Sequence, residues 1–391
     1  MAQHLQPYVV QPLPTRENVA AVAGVLNAPG EVLLPVDIGV DGERVIAAAR
    51  PGEPLQPATD EPLVLGVATT GSTGTPKIVL HTARSLRASI DATAQFCGGH
   101  GQWLLCLGIN HIAGIQVVLR SAVAGTELVV APAGGPTFAT EFARAAAQLT
   151  DSRRYVSMVP TQLQRLMAAP SALDALRTFD AILLGGSAAD PALLARAATD
   201  GVRVITTYGM SETAGGCVYD GLPLPGVEVG TADGIVSLAG DVVAAGYRDR
   251  IEPYPFDGQT FITSDLGEVY HGRLRIVGRA DDIINTGGKK VSPLRVEQAL
   301  RGLAGIDDAI VVGVPDAEWG TRTVALISGA ECDPNAIREA LRHRLAAHEL
   351  PAQIVQVADV PYKGIGKPDR AEALRQALSH QQDTPDRSSL P

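Results

Sequence analysis

The hydrophobic positions in the first part of the chain predict a largely parallel β-sheet covered by helices. Short runs of Val, Ile and Leu recur, and each is followed by a turn of small residues and then by a stretch rich in Ala, Leu and Arg. Such runs are typical of buried strands in an α/β fold. The predicted strands are 63–68, 103–107, 181–184 and 203–207. Ligands bind at the carboxyl ends of such strands, so the turns after them are candidate ligand sites.

The later part of the chain shows two other patterns. Residues 221–277 alternate short strands with Gly, Asp and Pro turns, which predicts a small β-rich subdomain. The predicted strands there are 234–238, 261–263 and 273–277. From residue 281 onwards, helices and strands mix in a unit of ordinary domain size. Its predicted elements are a helix at 292–303, strands at 309–314 and 323–328, a helix at 334–348 and a strand at 353–357.

These patterns divide the chain into a large domain and a small one. We predict an α/β protein with a large N-terminal domain over residues 1–280, which holds mostly parallel sheets and the β-rich subdomain. A small α+β domain follows over 281–379, and 380–391 are predicted to be a disordered tail because they are polar and contain Pro and Ser. The length of 391 residues suits one large and one small domain.

Composition and charge exclude several kinds of partner. The formal net charge is −10 and Lys and Arg form no run, which argues against nucleic acid as a main partner. The sequence contains no signal peptide pattern and no apolar run of about 20 residues, so we expect a cytoplasmic protein without membrane insertion. The four cysteines are scattered, which argues against a zinc site and fits a reducing compartment. Homo-oligomer formation stays open.

Residues 69–77, Thr-Thr-Gly-Ser-Thr-Gly-Thr-Pro-Lys, follow a predicted strand. Glycines permit close approach of the backbone, amides and hydroxyls donate hydrogen bonds, and the lysine supplies positive charge, so the segment could wrap phosphates. It is not a Walker A loop, because Pro76 precedes Lys77 and Ile78 follows it. Composition alone is equally compatible with a solvated loop between a strand and a helix.

Three other segments carry candidate chemistry. In residues 208–213, Tyr-Gly-Met-Ser-Glu-Thr, a ring could cover a base and a carboxylate could hold magnesium, although a helix-capping turn is an alternative. Residues 278–290 lie where the pattern changes and could form an interdomain hinge or a charged surface loop. Lys367 stands in a glycine-flanked loop, where an exposed lysine is usually only solvated.

The order and spacing of these segments resemble the superfamily of acyl-CoA synthetases, peptide-synthetase adenylation domains and luciferases. Residues 69–77 resemble its phosphate loop, 208–212 its aromatic-Gly-x-Ser/Thr-Glu motif and 278–290 its hinge motif. Residues 261–265 resemble the Thr-Gly-Asp motif with Ser264 in place of the glycine, and 361–370 resemble the terminal Asn-Gly-Lys motif with Ile365 in place of the asparagine. The phosphate loop begins earlier than is usual, so we expect a shortened N-terminal subdomain.

This resemblance implies an AMP-forming acid–thiol ligase that uses ATP, Mg²⁺ and coenzyme A, with a mobile small domain. The residues implied to bind ATP or AMP are Thr69, Thr70, Gly71, Ser72, Thr73, Gly74, Lys77, Gly185, Gly186, Ser187, Tyr208, Gly209, Ser211, Asp265 and Arg279. Lys367, Glu212 and Lys77 would be catalytic, with Glu212 holding the metal. Asp281 would be the hinge, and Lys289 and Lys290 would meet coenzyme A.

Within the superfamily, residues 103–126 are most similar to the o-succinylbenzoate–CoA ligases of menaquinone biosynthesis. The resemblance implies that His111 lines the acyl pocket and that Arg120 meets a second carboxylate of the acid. The alternatives are a partly buried, satisfied histidine and a helix-surface arginine. Two other functions stay open, an aryl or fatty acyl–CoA ligase or stand-alone adenylation enzyme, and a non-catalytic nucleotide-binding relative. Loss of a key residue would favour the last, but all four are present, namely Lys77, Glu212, Asp265 and Lys367.

Overall fold

The fold is taken from a computed structural model that describes residues 3–28, 30–56, 59–70, 76–363 and 367–382. The strands in these ranges are β1 (Leu5–Val9), β2 (Val32–Val36), β3 (Leu63–Thr70), β4 (Pro76–Thr82), β5 (Gln102–Leu105), β6 (Val129–Val130), β7 (Arg154–Met158), β8 (Ala181–Leu184), β9 (Val204–Met210), β10 (Gly215–Tyr219), β11 (Leu222–Pro223), β12 (Val227–Ala232), β13 (Ile235–Gly240), β14 (Gly246–Tyr247), β15 (Phe256–Asp257), β16 (Thr260–Tyr270), β17 (Arg273–Arg279), β18 (Ile284–Thr286), β19 (Lys289–Val291), β20 (Ile306–Asp316), β21 (Gly320–Gly329), β22 (Gln353–Gln356), β23 (Tyr362–Lys363) and β24 (Lys367–Pro368). The α-helices are α1 (Arg16–Gly24), α2 (Val40–Ala49), α3 (Ala83–Phe96), α4 (Ile112–Ala124), α5 (Phe138–Ala146), α6 (Pro160–Met167), α7 (Pro170–Leu176), α8 (Pro191–Thr199), α9 (Pro293–Arg301), α10 (Pro334–Leu341) and α11 (Arg370–Gln382). Short 3₁₀ helices are Val25–Asn27, Ser211–Thr213 and Ala347–Glu349.

Two sheets with parallel centres form the first part of the molecule. One has the order β1-β2-β3-β4-β14, in which β1, β2 and β3 are parallel and β4 is antiparallel to both of its neighbours. The other has the order β11-β10-β9-β8-β7-β5-β6, in which the strands from β9 to β6 are parallel and β10 is antiparallel. The carboxyl ends of β8 and β9 therefore lie at the same edge of this sheet.

The β-rich subdomain and the C-terminal unit follow in chain order. Antiparallel strands β12, β13, β16, β15 and β17 form a third sheet. A three-stranded sheet in the order β20-β21-β22 packs with α9, α10 and α11. The hairpin β18–β19 precedes this sheet in the chain and the hairpin β23–β24 follows it. These observations confirm the predicted fold class of α/β sheets, a β-rich subdomain and an α+β unit. The predicted domain boundary at 280/281 lies in the turn between β17 and β18.

Helix α4 links the hydrophobic core to the candidate site. The apolar side chains at its centre, including Ile115 and Val118, are fully buried in the main core cluster. Gly114 lets the helix approach the preceding loop, since a Cβ there would collide with the carbonyl oxygen of Gly108. The helix ends at Gly125, whose φ of 68° is a left-handed conformation that favours glycine. None of the helices formed by the described residues has both the length and the hydrophobicity that a bilayer crossing requires.

Three local predictions are wrong. The chain after residues 69–77 continues as strand β4 before α3 begins, because Val79 and Leu80 are buried in sheet positions. The helix predicted at 334–348 ends at Leu341; Ala346 is extended and its N–H donates to the carboxylate of Glu349 at 2.8 Å. Conversely, α11 continues to Gln382, three residues into the predicted tail, since its Ala, Leu and Gln residues favour helix.

Candidate active site

The ends of the predicted phosphate loop are held by a β-hairpin. Thr69 and Thr70 end β3, Lys77 lies near the start of β4, and Thr69 faces Lys77 in the antiparallel register. Gly71, Ser72, Thr73 and Gly74 lie outside the described residues. The hairpin fixes where the loop leaves and re-enters the sheet.

The 3₁₀ turn Ser211–Thr213 presents Glu212 beside this hairpin. The hydroxyl of Tyr247 on β14 donates to Glu212 Oε1 at 2.7 Å, and the Lys77 Nζ lies 5.4 Å from the centroid of the same ring. Burial, and then the charge of Glu212, raise the pKa of the Tyr247 phenol, so the phenol stays protonated. Tyr247 carries no motif that the sequence analysis identified, and its role depends on a contact 35 residues away in sequence.

His81 on β4 is a second residue that the sequence analysis missed. It is fully buried, and its Nε2 lies 2.9 Å from the carbonyl oxygen of Ser211 while its Nδ1 lies 3.1 Å from Ser85 Oγ. Because a carbonyl only accepts, we assign the proton to Nε2. The contact ties the strand after the phosphate loop to the turn that carries Glu212. Burial lowers the pKa of His81 to about 4.

This lowered pKa predicts that His81 costs stability in acid. The unfolded chain binds a proton at His81 near its ordinary pKa of about 6.5, whereas the folded protein does so only near 4. Folding is therefore unaffected by His81 at pH 7.5 and is destabilised as the pH falls below about 6.5. We expect His81 to contribute about 2 kcal/mol to the loss of stability between pH 7 and pH 5. Urea denaturation of wild type and His81→Gln at both pH values measures it; the variant should lose correspondingly less.

The predicted adenine segment follows β8 and faces β9. Gly185 begins it, and a Cβ there would lie 2.5 Å from Thr207 Oγ1, so glycine lets the segment lie close to β9. Gly186 has a φ of 90°, a conformation that favours glycine, and Ser187 follows it. Tyr208 and Gly209 stand next to Thr207 on β9. The structure thus brings the predicted adenine residues together at the carboxyl ends of neighbouring parallel strands.

Asp265 joins the second sheet to the third one. The Tyr208 hydroxyl donates to Asp265 Oδ2 at 2.7 Å, and Arg279 Nη1 donates to Asp265 Oδ1 at 3.2 Å. Burial and then the charge of Asp265 raise the pKa of the Tyr208 phenol. Ser264, the departure from the family motif, is exposed on the opposite side of β16 and leaves this arrangement intact. Asp265 can accept further bonds, because an ionised carboxylate has about four acceptor positions.

The predicted hinge residue is bound to the same arginine. Arg279 donates to Asp281 through Nε at 2.9 Å and Nη2 at 2.7 Å, and these bonds to Asp281 are the main reason that the pKa of Arg279 is raised.

Arg370, three residues after Lys367, donates to Asp282 at 3.0 Å and to Glu297 at 2.6 Å. In β23–β24 the backbone of Lys367 pairs with that of Lys363. The start of the small domain and the first residue of α11, the helix that follows the strand of Lys367, are therefore linked by ion pairs.

The predicted coenzyme A lysines lie on a hairpin of the small domain. Lys289 and Lys290 begin β19, directly after the Gly287–Gly288 turn, and both are exposed. Gly287 donates its N–H to the Trp319 carbonyl at 3.1 Å. The position suits contact with a charged ligand, and the assignment stays a prediction.

His111 occupies the N-cap position of α4, where its side chain makes no capping hydrogen bond, and it is half-buried. The Asn110 side-chain amide lies 2.7 Å from Asp37 Oδ2 and 3.3 Å from His111 Nε2. One turn into the helix, Gln116 Nε2 donates to the carbonyl of Ala214 at 2.9 Å, so α4 contacts the chain just after Glu212. The structure therefore places α4, the helix that follows His111, against the chain directly after the turn that carries the predicted metal ligand.

Arg120 lies nine residues further along α4, which is about 13 Å along the helix axis. The alternative of a helix-surface arginine is wrong, since Arg120 is only 5% exposed. Its Nη2 donates to Thr93 Oγ1 at 3.0 Å, its guanidinium lies 5.1 Å from the centroid of Trp103, and its Nε is buried without a partner. No carboxylate among the described residues pairs with it. A cavity of about 10 Å³ adjoins it, with room for about one water molecule.

Comparison with known proteins agrees with this geometry. The model of the AMP-binding enzyme family matches residues 9–240, and that of the AMP-binding enzyme C-terminal domain matches residues 295–367. The chain belongs to the AMP-binding enzyme family. The prediction of an AMP-forming ligase is thereby confirmed at the level of the family, and the second match covers the small unit that contains β20–β22.

Individual proteins of known sequence or structure resemble the chain over most of its length. The chain is 39% identical to a probable 2-succinylbenzoate–CoA ligase of Mycobacterium tuberculosis (strain CDC 1551) over 87% of this chain and 90% of that protein. Among solved structures it is similar to ATP-bound MatB from Rhodopseudomonas palustris, with a TM-score of 0.83, 20% identity, and coverage of 96% and 89% of the two chains. It is also similar to an Escherichia coli MenE variant with bound OSB-AMS, with a TM-score of 0.77, 25% identity, and coverage of 98% and 89%.

Proposed function

We propose that this AMP-binding enzyme activates 2-succinylbenzoate with ATP and then transfers the acyl group to coenzyme A, as a step of menaquinone biosynthesis. A carboxylate is a poor electrophile, because its oxygens are anionic and it has no leaving group. Its attack on the α-phosphate of ATP forms the acyl-adenylate and releases pyrophosphate. The thiol of coenzyme A then attacks the acyl carbon, forms the thioester and releases AMP and a proton. The 39% identity with a 2-succinylbenzoate–CoA ligase over most of both chains supports this proposal.

Each residue of the site contacts a different part of the nucleotide or of the acid. Lys77 and the phosphate loop meet the β- and γ-phosphates, and Ser211 meets the α-phosphate. Gly185, Gly186 and Ser187 flank the adenine and Tyr208 stacks on it. Asp265 and Arg279 bind the ribose. Lys367 neutralises charge between the α-phosphate and the attacking carboxylate. Such charge placement is the main catalytic need of phosphoryl and nucleotidyl transfer.

A magnesium ion fits the donors around Glu212. The described residues contain no cluster of three His, Cys, Asp or Glu side chains that could hold a metal by themselves. Magnesium in nucleotide sites uses one or two carboxylates together with phosphate oxygens and water, so a single half-buried Glu212 suits it. Tyr247 donates one hydrogen bond to Oε1 of Glu212, and the carboxylate keeps further acceptor positions that could hold the ion. When bound, the ion would supply positive charge against the phosphates.

The single observation that carries the choice of acid is the buried Arg120. A buried cation without an acidic partner is costly, and a ligand carboxylate would compensate it. 2-Succinylbenzoate has two carboxylates, one to be activated and one left over. A fatty or simple aryl acid has no second charge to meet Arg120. The neighbouring cavity of about 10 Å³ is too small for the acid itself, so it is the charge of Arg120 and not the cavity volume that favours a second carboxylate.

Release of pyrophosphate with a panel of acids tests the proposal. We expect release that depends on 2-succinylbenzoate, formation of its thioester when coenzyme A is added, and much weaker activity with benzoate, malonate and fatty acids. Thioester formation with another acid at higher efficiency would replace 2-succinylbenzoate by that acid. ATP binding without turnover on any acid would favour a non-catalytic relative.

Asp265→Asn should raise the KM for ATP and leave the KM for the acid nearly unchanged. The carboxylate is proposed to accept hydrogen bonds from the ribose, and a bond to a charged acceptor contributes about 1.5–3 kcal/mol, or roughly 10- to 100-fold. The amide also weakens the restraint on Tyr208, whose hydroxyl donates to Asp265. Steady-state kinetics with each substrate varied in turn provide the measurement. An unchanged KM for ATP would exclude ribose contact by Asp265.

A further inference from the structure

We propose that Tyr247 is a positioning residue that keeps Lys77 and Glu212 apart and correctly oriented for ATP and its metal. The inference rests on the proposed function, in which Lys77 meets the phosphates and Glu212 the magnesium ion. One side chain contacts both groups: the ring lies under the ammonium of Lys77, and the hydroxyl donates to the carboxylate of Glu212.

The backbone places Tyr247 between the two groups. Tyr247 faces Val79 in the β14–β4 pairing, and Lys77 is two residues before Val79 on the same strand. The N–H of Ala244 donates to the carbonyl of Glu212 at 2.9 Å, so the chain that leads into β14 also fixes the Glu212 turn. The ring itself is held by an edge-to-face contact with Phe256 at 5.1 Å. Tyr247 is only 9% exposed, so packing contacts restrain the position of its ring.

The charges explain why such a residue is needed. A lysine and a glutamate that both contact one side chain attract each other, and a direct ion pair would neutralise both groups that the nucleotide and metal require. Within the described structure neither side chain forms an ion pair. The face of an aromatic ring attracts a cation, and a phenol donates well to a carboxylate, so a tyrosine can satisfy both charges separately. ATP and Mg²⁺ then meet a site in which no ion pair has to be broken.

Two substitutions separate the functions of the ring and the hydroxyl. Tyr247→Phe keeps the ring under Lys77 and removes the bond to Glu212. We expect it to raise the Mg²⁺ concentration for half-maximal binding of a non-hydrolysable ATP analogue by about tenfold. Tyr247→Leu also removes the ring, so the analogue should in addition bind about threefold more weakly at saturating Mg²⁺. Affinity for AMP without Mg²⁺, measured by the same calorimetry, should stay at the wild-type value in both variants.

Tyr254→Phe is the matched control. Tyr254 belongs to the same aromatic cluster, with its ring centroid 5.5 Å from that of Phe256, but in the described structure its hydroxyl makes no bond with Glu212. It should bind Mg²⁺ and the analogue as the wild type does. A wild-type Mg²⁺ requirement in Tyr247→Phe would overturn the proposal, and so would an equal loss of AMP affinity, which would indicate general loosening. Because these titrations need no acid, failure to ligate 2-succinylbenzoate would contradict the proposed function separately.

Discussion

Lys367→Ala is expected to slow formation of the acyl-adenylate by at least about 100-fold, while a supplied acyl-adenylate is still converted to the thioester. The proposed role of Lys367 is to neutralise charge that develops as the carboxylate attacks the α-phosphate. Loss of one such preorganised group typically costs 100- to 1,000-fold in rate. The second half-reaction releases AMP and involves no attack at phosphorus, so it does not need this charge. Pyrophosphate release and thioester formation from synthetic acyl-adenylate, measured separately, test the expectation.

Lys363→Ala provides the control for this experiment. Lys363 is the strand partner of Lys367 in β23–β24 and carries the same charge, so a general effect of removing a lysine from this hairpin would affect both variants. We expect Lys363→Ala to keep both half-reactions. Equal loss of both half-reactions in Lys367→Ala would mean that Lys367 supports the fold of the small domain or the binding of coenzyme A instead. Neither substitution removes a partner of Arg370, which begins the helix after this hairpin and donates to Asp282 and Glu297.

The four strands predicted in the large sheets, 63–68, 103–107, 181–184 and 203–207, overlap the observed strands β3, β5, β8 and β9. The strand predicted at 181–184 has the bounds that β8 shows, because all four of its residues are apolar and buried and a glycine follows them. The antiparallel strand β4 was not predicted, because strand formation depends on pairing with other strands as well as on local sequence. Its apolar residues become a strand only by pairing with β3 and β14, and that pairing is not local.

The candidate site was predictable where its residues occur in contiguous motifs. Tyr208 and Asp265 were both predicted, but the bond between them joins residues 57 apart and could only be found in the structure. His81 and Tyr247 were missed because nothing in their neighbours in sequence marks them. Their functions follow from contacts with Ser211 and Glu212 that form when β4, β14 and the 3₁₀ turn come together.

Arg120→Gln is expected to cost about 2–5 kcal/mol in the use of 2-succinylbenzoate and to leave ATP binding unchanged. The role of Arg120 was implied by the resemblance of residues 103–126 to 2-succinylbenzoate–CoA ligases, and the structure adds that Arg120 is buried without an acidic partner among the described residues. A guanidinium can meet a carboxylate with two parallel hydrogen bonds, which a glutamine cannot reproduce. Arg120→Lys keeps the charge but loses this geometry, so its loss should be intermediate.

The deciding quantity is the ratio of kcat/KM for 2-succinylbenzoate to that for a monocarboxylic analogue without the distal charge. Wild type should prefer the dicarboxylic acid strongly, and Arg120→Gln should lose most of that preference. Thermal stability separates this role from a purely structural one. Removing a buried charge that lacks a counter-ion relieves its desolvation cost, so Tm should not fall if Arg120 binds the substrate. If instead Tm falls and the ratio keeps its wild-type value, Arg120 stabilises the core through its contacts with Thr93 and Trp103. Another residue must then select the acid.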